Sequence, residues 1–116
     1  MSTIKDSKLA SIGKDEVSWA QRQMQVLEDI KLDFEKRKPL DGLNIGACMH
    51  VTKETANLML TLKAGGANVA LCASNPLSTK DSVAAYLAES GVQVHAIHGV
   101  SNEEFFEHLN SVLDTK

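Results

Sequence analysis

Apolar residues recur along this chain at two different periods, and the change of period divides it. From Lys14 to Glu35 the spacing is three and four: Val17, Ala20, Met24, Leu27 and Phe34, with Trp19, Val26 and Ile30 widening the stripe. That spacing predicts one long amphipathic helix. Gly13 precedes it, Lys36, Arg37 and Lys38 suit the negative end of its dipole, and Pro39 marks its stop. After Pro39 short apolar runs alternate with helical patterns. Leu43 to Cys48 reads as a short, fully buried strand, and Lys53 to Ala64 as a helix with Leu58, Met59 and Leu62 inward, ended by Gly65-Gly66. Val69 to Ala73 is a second strand. Thr79 to Ser90 is a second helix with Val83, Ala84, Leu87 and Ala88 inward, ended by Gly91. Val92 to Ile97 is a third strand. Ser101-Asn102-Glu103-Glu104 is a capping box that opens a last helix through Phe105, Leu109, Val112 and Leu113.

Three strand-helix units in a row predict a parallel sheet, because parallel strands need crossover connections. The expected fold is α/β, a Rossmann-like three-layer parallel sheet, incomplete and preceded by the long N-terminal helix. With no strands beyond these three, both sheet edges are expected to lack cover, which invites self-association. In such sheets ligands sit beyond the C-terminal strand ends. Here those ends are Met49-His50-Val51-Thr52, Ser74-Asn75-Pro76-Leu77-Ser78 and His98-Gly99.

Composition narrows the class. Hydrophobic residues make up 43% and charged residues 23%, which argues for a folded domain over disorder. A net charge of −3 lacks the basic footprint of a nucleic-acid binder, and the Lys36-Arg37-Lys38 run reads as a solvated helix end. The polar N-terminus lacks the apolar core of a secretory signal, no apolar run approaches the roughly 18 residues of a membrane helix, and the two cysteines are too few for a disulfide scaffold. The expectation is a cytoplasmic protein with no membrane partner.

Among the strand-end residues, His50 could move protons near neutral pH, and Thr52, Glu54 and Thr55 could read the edge of a polar heterocycle. Thr52 also suits a helix cap and Glu54 the helix dipole. Ser78 or Thr79 is expected to cap the second helix with Asp81 near its dipole, whereas Asn75, held extended by Pro76, is freer to meet a ligand. His95 and His98 fall on opposite faces of a strand and no third ligand is near, so no metal site is expected. His108 reads as a solvated surface residue. Cys48 and Cys72 read as small core residues. No G-x-G-x-x-G or P-loop occurs, so no cofactor-binding residue is assigned.

Four stretches resemble the N-terminal part of the S-adenosylhomocysteine hydrolase (adenosylhomocysteinase) family. They are the Trp19 to Met24 region with Lys38-Pro39-Leu40-Asp41-Gly42, then Cys48-Met49-His50-Val51-Thr52-Lys53-Glu54-Thr55-Ala56, then Ser74-Asn75-Pro76-Leu77-Ser78-Thr79-Lys80-Asp81, and Ser101-Asn102-Glu103-Glu104-Phe105-Phe106. Their order and spacing fit along nearly the whole chain from about Lys5. The resemblance implies NAD-dependent, reversible hydrolysis of S-adenosylhomocysteine to adenosine and homocysteine by a homotetramer. The ribose 3′-hydroxyl is oxidised, homocysteine is eliminated, water adds at C5′, and reduction releases adenosine. It further implies that His50 is the catalytic acid/base near C5′, that Thr52 and Glu54 reach the adenine edge beside Thr55, and that Asn75 and Ser78 line the homocysteine side. Lys80 stands where the family usually has Gln. There its ammonium either substitutes for a monovalent cation or faces solvent.

The family continues with an Asp-Asp-Gly-Gly-Asp strand end, further catalytic residues and an NAD domain, none of which is in this sequence. The sequence reaches Asp114-Thr115-Lys116 about where that strand is expected. Residues 1–12 are therefore expected to form an N-terminal segment and residues 13–116 the first part of the substrate-binding domain, without the NAD-binding domain. Such a fragment is expected to be inactive alone. The competing readings are a stand-alone adenosine-binding module and a regulator that docks on the full-length hydrolase.

Overall fold

The structure, a computed structural model, describes residues 2–114. Position 1, and positions 115 and 116 of the expected 13–116 segment, lie outside the described residues. After a 3-10 turn at Ser7–Leu9 the chain forms α1 (Ala10–Gln23), α2 (Gln25–Arg37), β1 (Asn44–Cys48), α3 (Lys53–Ala64), β2 (Asn68–Cys72), α4 (Asp81–Glu89), β3 (Gln93–His95) and α5 (Asn102–Leu113).

The single long N-terminal helix expected from the apolar stripe is two helices. Met24 leaves helical geometry at φ −115° and ψ 62°. Side chains replace the lost ladder there: Gln21 Nε2 donates to Glu28 Oε2 at 2.8 Å and Gln25 Nε2 to the Arg22 carbonyl at 2.9 Å. Apolar spacing continues through the break, so periodicity could not reveal it. The helix also begins before Gly13, which is buried inside α1. A Cβ on Gly13 would lie 1.9 Å from the Ser82 carbonyl oxygen, so α1 and α4 meet backbone to backbone and only glycine fits. Asn57 of α3 donates to the Val17 carbonyl at 3.1 Å, tying α1 to the third helix of this layer. At the end of α2, Lys38 adopts a left-handed conformation (φ 48°), its N–H closes on the Phe34 carbonyl at 2.9 Å, and Pro39 follows.

The three strands are parallel in the order β1-β2-β3, with Cys48 opposite Cys72 and Cys72 opposite His95. Sequential order places both crossover helices, α3 and α4, on one face. There Val69, Leu71 and Val94 pack with Met59, Val83 and Leu87 in the main core. Ala70 and Cys72, pointing the other way, meet Val112 and Leu109 of α5. The result is the expected three-layer α/β arrangement, with α1 outside α3 and α4. β1 departs from expectation: it alternates between exposed and half-buried residues, because it is an edge strand and not a central one.

The expectation of two uncovered edges is also corrected. Within the expected 1–12 segment, Thr3 pairs in parallel with His95: its N–H donates to the Val94 carbonyl at 2.7 Å, and the Ala96 N–H donates to the Thr3 carbonyl at 2.9 Å. The N-terminal residues thus cover the β3 edge, and β1 has no outer neighbour among the described residues. His108, expected at the surface, is buried, because α5 turns it toward the sheet rather than toward solvent. His95 is buried too, its Nδ1 bonded to Thr3 Oγ1 at 3.1 Å. Burial, then the nearby His108, hold the His95 imidazole below its ordinary value.

Replacing Gly13→Ala should destabilise the fold by about 3 kcal/mol or more, the upper end of overpacking costs, in urea titration. Because His95 binds its proton less readily folded than unfolded, its contribution to stability is present above the unfolded value of 6.5 and is lost as pH falls through the lower folded value. Urea midpoints measured from about pH 7 down to about pH 5 should fall for the natural chain and flatten in His95→Gln.

Candidate functional site

The loops beyond the strand ends are joined by backbone. Val51, fully buried, donates its N–H to the Ser78 carbonyl at 2.8 Å and accepts from the Lys80 N–H at 2.9 Å. The third loop joins through the Gly99 N–H, which donates to the Pro76 carbonyl at 2.7 Å, and through the His98 N–H, which donates to Asp81 Oδ1 at 3.0 Å. Side chains that start from three strands therefore share one fixed platform.

A groove of about 630 Å³ opens there, lined mainly by polar residues, His50, Thr52, Asn75, Ser78, Thr79, Lys80 and His98, together with Leu77. His50 Nδ1 is hydrogen-bonded to Ser74 Oγ at 2.5 Å, and Ser74 Oγ lies 3.3 Å from Ser78 Oγ. That fixes the ring and leaves Nε2 for a ligand. Ser78 Oγ also accepts from the Asn75 N–H at 3.1 Å. Asn75 has a structural duty that its sequence context did not suggest: its Oδ1 accepts the Leu77 N–H at 2.8 Å, an Asx turn.

A second groove of similar volume, about 630 Å³, lies between α2 and α3. Its walls are largely apolar, from Val26, Leu27, Ile30, Met49 and Leu58, and Glu54 and Thr55 also line it. The six residues singled out in the sequence thus divide, with His50, Thr52, Asn75 and Ser78 in the polar groove and Glu54 and Thr55 in the apolar one. Thr52 joins them, since its Oγ1 is 3.4 Å from Thr55 Oγ1. Lys53 Nζ is 3.3 Å from Glu54 Oε2 and lies over the Trp19 ring, 5.7 Å from its centre.

Several expectations change. Thr52 is the N-cap of α3, but its hydroxyl bonds Thr55 and no backbone N–H of the first turn. Neither Ser78 nor Thr79 caps α4; Lys80 holds that position, since the pairing with Val51 keeps the chain extended through Thr79. Lys80 Nζ reaches back to Glu16 Oε2 of α1 at 3.5 Å, and Glu16 also accepts from Ser82 Oγ. The Lys80 ammonium is therefore partly committed to a carboxylate outside the groove. Cys48 is exposed on the edge strand and only Cys72 is a core residue. Burial, then Cys48, pushes the Cys72 thiol up to about 12.

Two residues were not among the site candidates read from the sequence. Ser74 orients His50, and its position two residues past the Cys72 strand end, matching His50 after Cys48, was the available signal. Thr79 is buried, and its Oγ1 is a side-chain oxygen without a hydrogen-bond partner at the wall of the polar groove. No sequence signal separates such a hydroxyl from a capping one.

The sequence matches the family described as S-adenosyl-L-homocysteine hydrolase over residues 1–116. It is 53% identical over 110 residues to an adenosylhomocysteinase of Saccharolobus solfataricus, covering 95% of this chain and 26% of that protein. It is 50% identical over 113 residues to an adenosylhomocysteinase of Pyrococcus abyssi, covering 97% and 27%. To an S-inosyl-L-homocysteine hydrolase of Methanothermobacter thermautotrophicus it is 46% identical over 111 residues, covering 96% and 27%. The chain spans about a quarter of the length of these curated relatives.

An orphaned buried hydroxyl costs about 1–3 kcal/mol. Thr79→Val, which keeps the shape and removes the hydroxyl, should therefore raise stability by about 1 kcal/mol in urea titration. A loss of that size instead would mean that the hydroxyl has a partner in solution.

Proposed function

The chain belongs to the S-adenosyl-L-homocysteine hydrolase family, and from that premise we propose that it forms the nucleoside-holding part of an adenosylhomocysteinase. In this reading the whole protein reversibly hydrolyses S-adenosylhomocysteine to adenosine and homocysteine. The observation that carries it is the pair of grooves, one lined by Val26, Leu27, Ile30, Met49 and Leu58 with the single carboxylate of Glu54, and one lined mainly by polar residues around His50. A purine is a flat heterocycle with polar edges. Met49, Ile30 and Leu58 suit its faces, and the Glu54 carboxylate suits a donated exocyclic amine, with Thr52 and Thr55 beside it. The ribose then points into the polar groove. There His50 Nε2, its ring held by Ser74, gives a proton to the leaving thiol near C5′ or takes one from attacking water. Asn75 and Ser78 line the homocysteine end.

Oxidation and reduction of the ribose belong to NAD. The residues of this chain do not fit that cofactor: the loops after β1 and β2, residues 49–52 and 73–80, contain no glycine to admit a pyrophosphate, and the loop after β3 has the lone Gly99 rather than a G-x-G-x-x-G run. We assign NAD binding to the family segments that lie beyond the matched quarter, so residues 13–116 are the first part of a substrate-binding domain. The homotetramer and cytoplasmic location belong to the same reading. No helix of the described residues is long and apolar enough to cross a membrane.

The relative named for S-inosyl-L-homocysteine keeps a second base in play, because hypoxanthine carries an oxygen where adenine carries the amine. A carboxylate facing that oxygen repels it, so Glu54 favours adenine. Calorimetric titration of the purified chain should show adenosine binding without NAD and weaker binding of inosine. Glu54→Gln should weaken adenosine about tenfold, consistent with losing a charged hydrogen bond worth about 1.5–3 kcal/mol. Equal affinities for the two nucleosides, or no effect of Glu54→Gln, would overturn the assignment. The isolated chain should not turn over S-adenosylhomocysteine. Absence of adenosine binding together with co-purification of a full-length hydrolase would favour the docking regulator instead.

A further inference from the structure

We propose that Cys48 and Cys72 are a site of reversible oxidative modification, closing to a disulfide beneath the candidate site when the protein meets a peroxide. They are the two cysteines of the sequence and they are register partners, each the last residue of its strand. Neighbouring strands lie about 4.8 Å apart, and a disulfide accepts Cα separations of about 4.4–6.8 Å. Register partners in a parallel pair also point to the same face. Here that face carries α5: Cys72 packs with Val112, and a Cβ on Gly46, two residues before Cys48, would meet Val112 Cγ1 at 3.0 Å.

The two thiols differ in access. Cys48 is exposed on the open edge strand and Cys72 is buried behind it. Burial, then the neighbouring Cys48, pushes the Cys72 thiol up to about 12, so the first nucleophile is Cys48. Its thiolate sulfur attacks one peroxide oxygen and the O–O bond breaks. The departing hydroxide combines with the proton released by the thiol and leaves as water, and Cys48 becomes a sulfenic acid. Conversion to this neutral form removes the charge that a Cys48 thiolate would place beside Cys72. The Cys72 sulfur then attacks the Cys48 sulfur and the S–O bond breaks. Hydroxide departs with the Cys72 proton as a second water, and the disulfide remains. Two thiols lose two hydrogens and one peroxide becomes two waters; a dithiol reductant reverses the change.

The position gives the modification a consequence. Two residues beyond Cys48 stands His50, two beyond Cys72 stands Ser74, and these two are hydrogen-bonded. The disulfide links the same two strand ends immediately below that bond.

The test treats the native chain with hydrogen peroxide, removes the peroxide, unfolds the chain in guanidinium chloride so that the buried Cys72 is reachable, blocks free thiols with iodoacetamide and isolates the monomer band from a non-reducing gel. Trypsin cleavage at Lys53 and Lys63 puts the two cysteines on separate peptides. The expected result is loss of both alkylatable thiols in the monomer, recovery of the peptides linked through Cys48 and Cys72, and return of both thiols after dithiothreitol. Cys48→Ser, a change at an exposed position, should leave Cys72 alkylatable after the same treatment. Sulfinic acid on Cys48 with Cys72 still alkylatable, or linkage found only in dimers, would overturn the proposal.

Discussion

Two backbone hydrogen bonds, made on either side of Val51 to Ser78 and Lys80, hold the functional end of this molecule together. A parallel sheet ends its ladder where its strands end, and loops beyond that point are normally free to part. Here the ladder is resumed for one residue after His50, so the loop after β1 and the loop after β2 are one object. His50, Ser74 and Ser78 can form a hydrogen-bonded row only because that resumption fixes their separation. The buried Val51 side chain anchors the junction in the main core, so the platform inherits the rigidity of the packing beneath it.

Much of this architecture is legible in the residues, and the exceptions share a cause. The bounds of α3, residues 53–64, follow from the sequence because Thr52 stands in the extended conformation of an N-cap, without a side-chain capping bond, and Gly66 takes a positive φ just past the end. The chain order and parallel sense of the strands follow from the alternation of elements. What local pattern does not carry is which strand lies at an edge. LNIGAC reads as buried on composition, yet β1 is half exposed because no described strand flanks it. His108 is the reverse case, a polar residue on an amphipathic helix whose facing partner, the buried His95, lies 13 positions earlier. The break at Met24 leaves the apolar stripe intact and changes only the backbone.

The same division holds at the site. The placement of His50, Thr52, Asn75 and Ser78 around one groove follows from the rule that strand ends carry function in open parallel sheets. The separation of Glu54 and Thr55 into a second groove depends on α2, which supplies Val26, Leu27 and Ile30 to its lining. Ser78 and Thr79 were natural capping candidates by composition. Pairing with Val51 claims the backbone at that point, Ser78 turns back to Asn75, and the start of the helix moves to Lys80. The residue types were right for caps, but a tertiary hydrogen bond outweighed a local preference worth about 1 kcal/mol.

The pairing of Thr3 with His95 carries a kinetic consequence. Contacts between residues so distant along a chain form late, since a long loop must close before they contribute. During synthesis this early segment is made well before the strand it covers. Until β3 is complete the nascent chain has no edge for Thr3 to close, and β3 in turn emerges with its outer N–H and C=O groups bare. The last step of assembly therefore falls to residues made well before the strand they cover, and slowing translation between α4 and β3 would prolong an aggregation-prone intermediate.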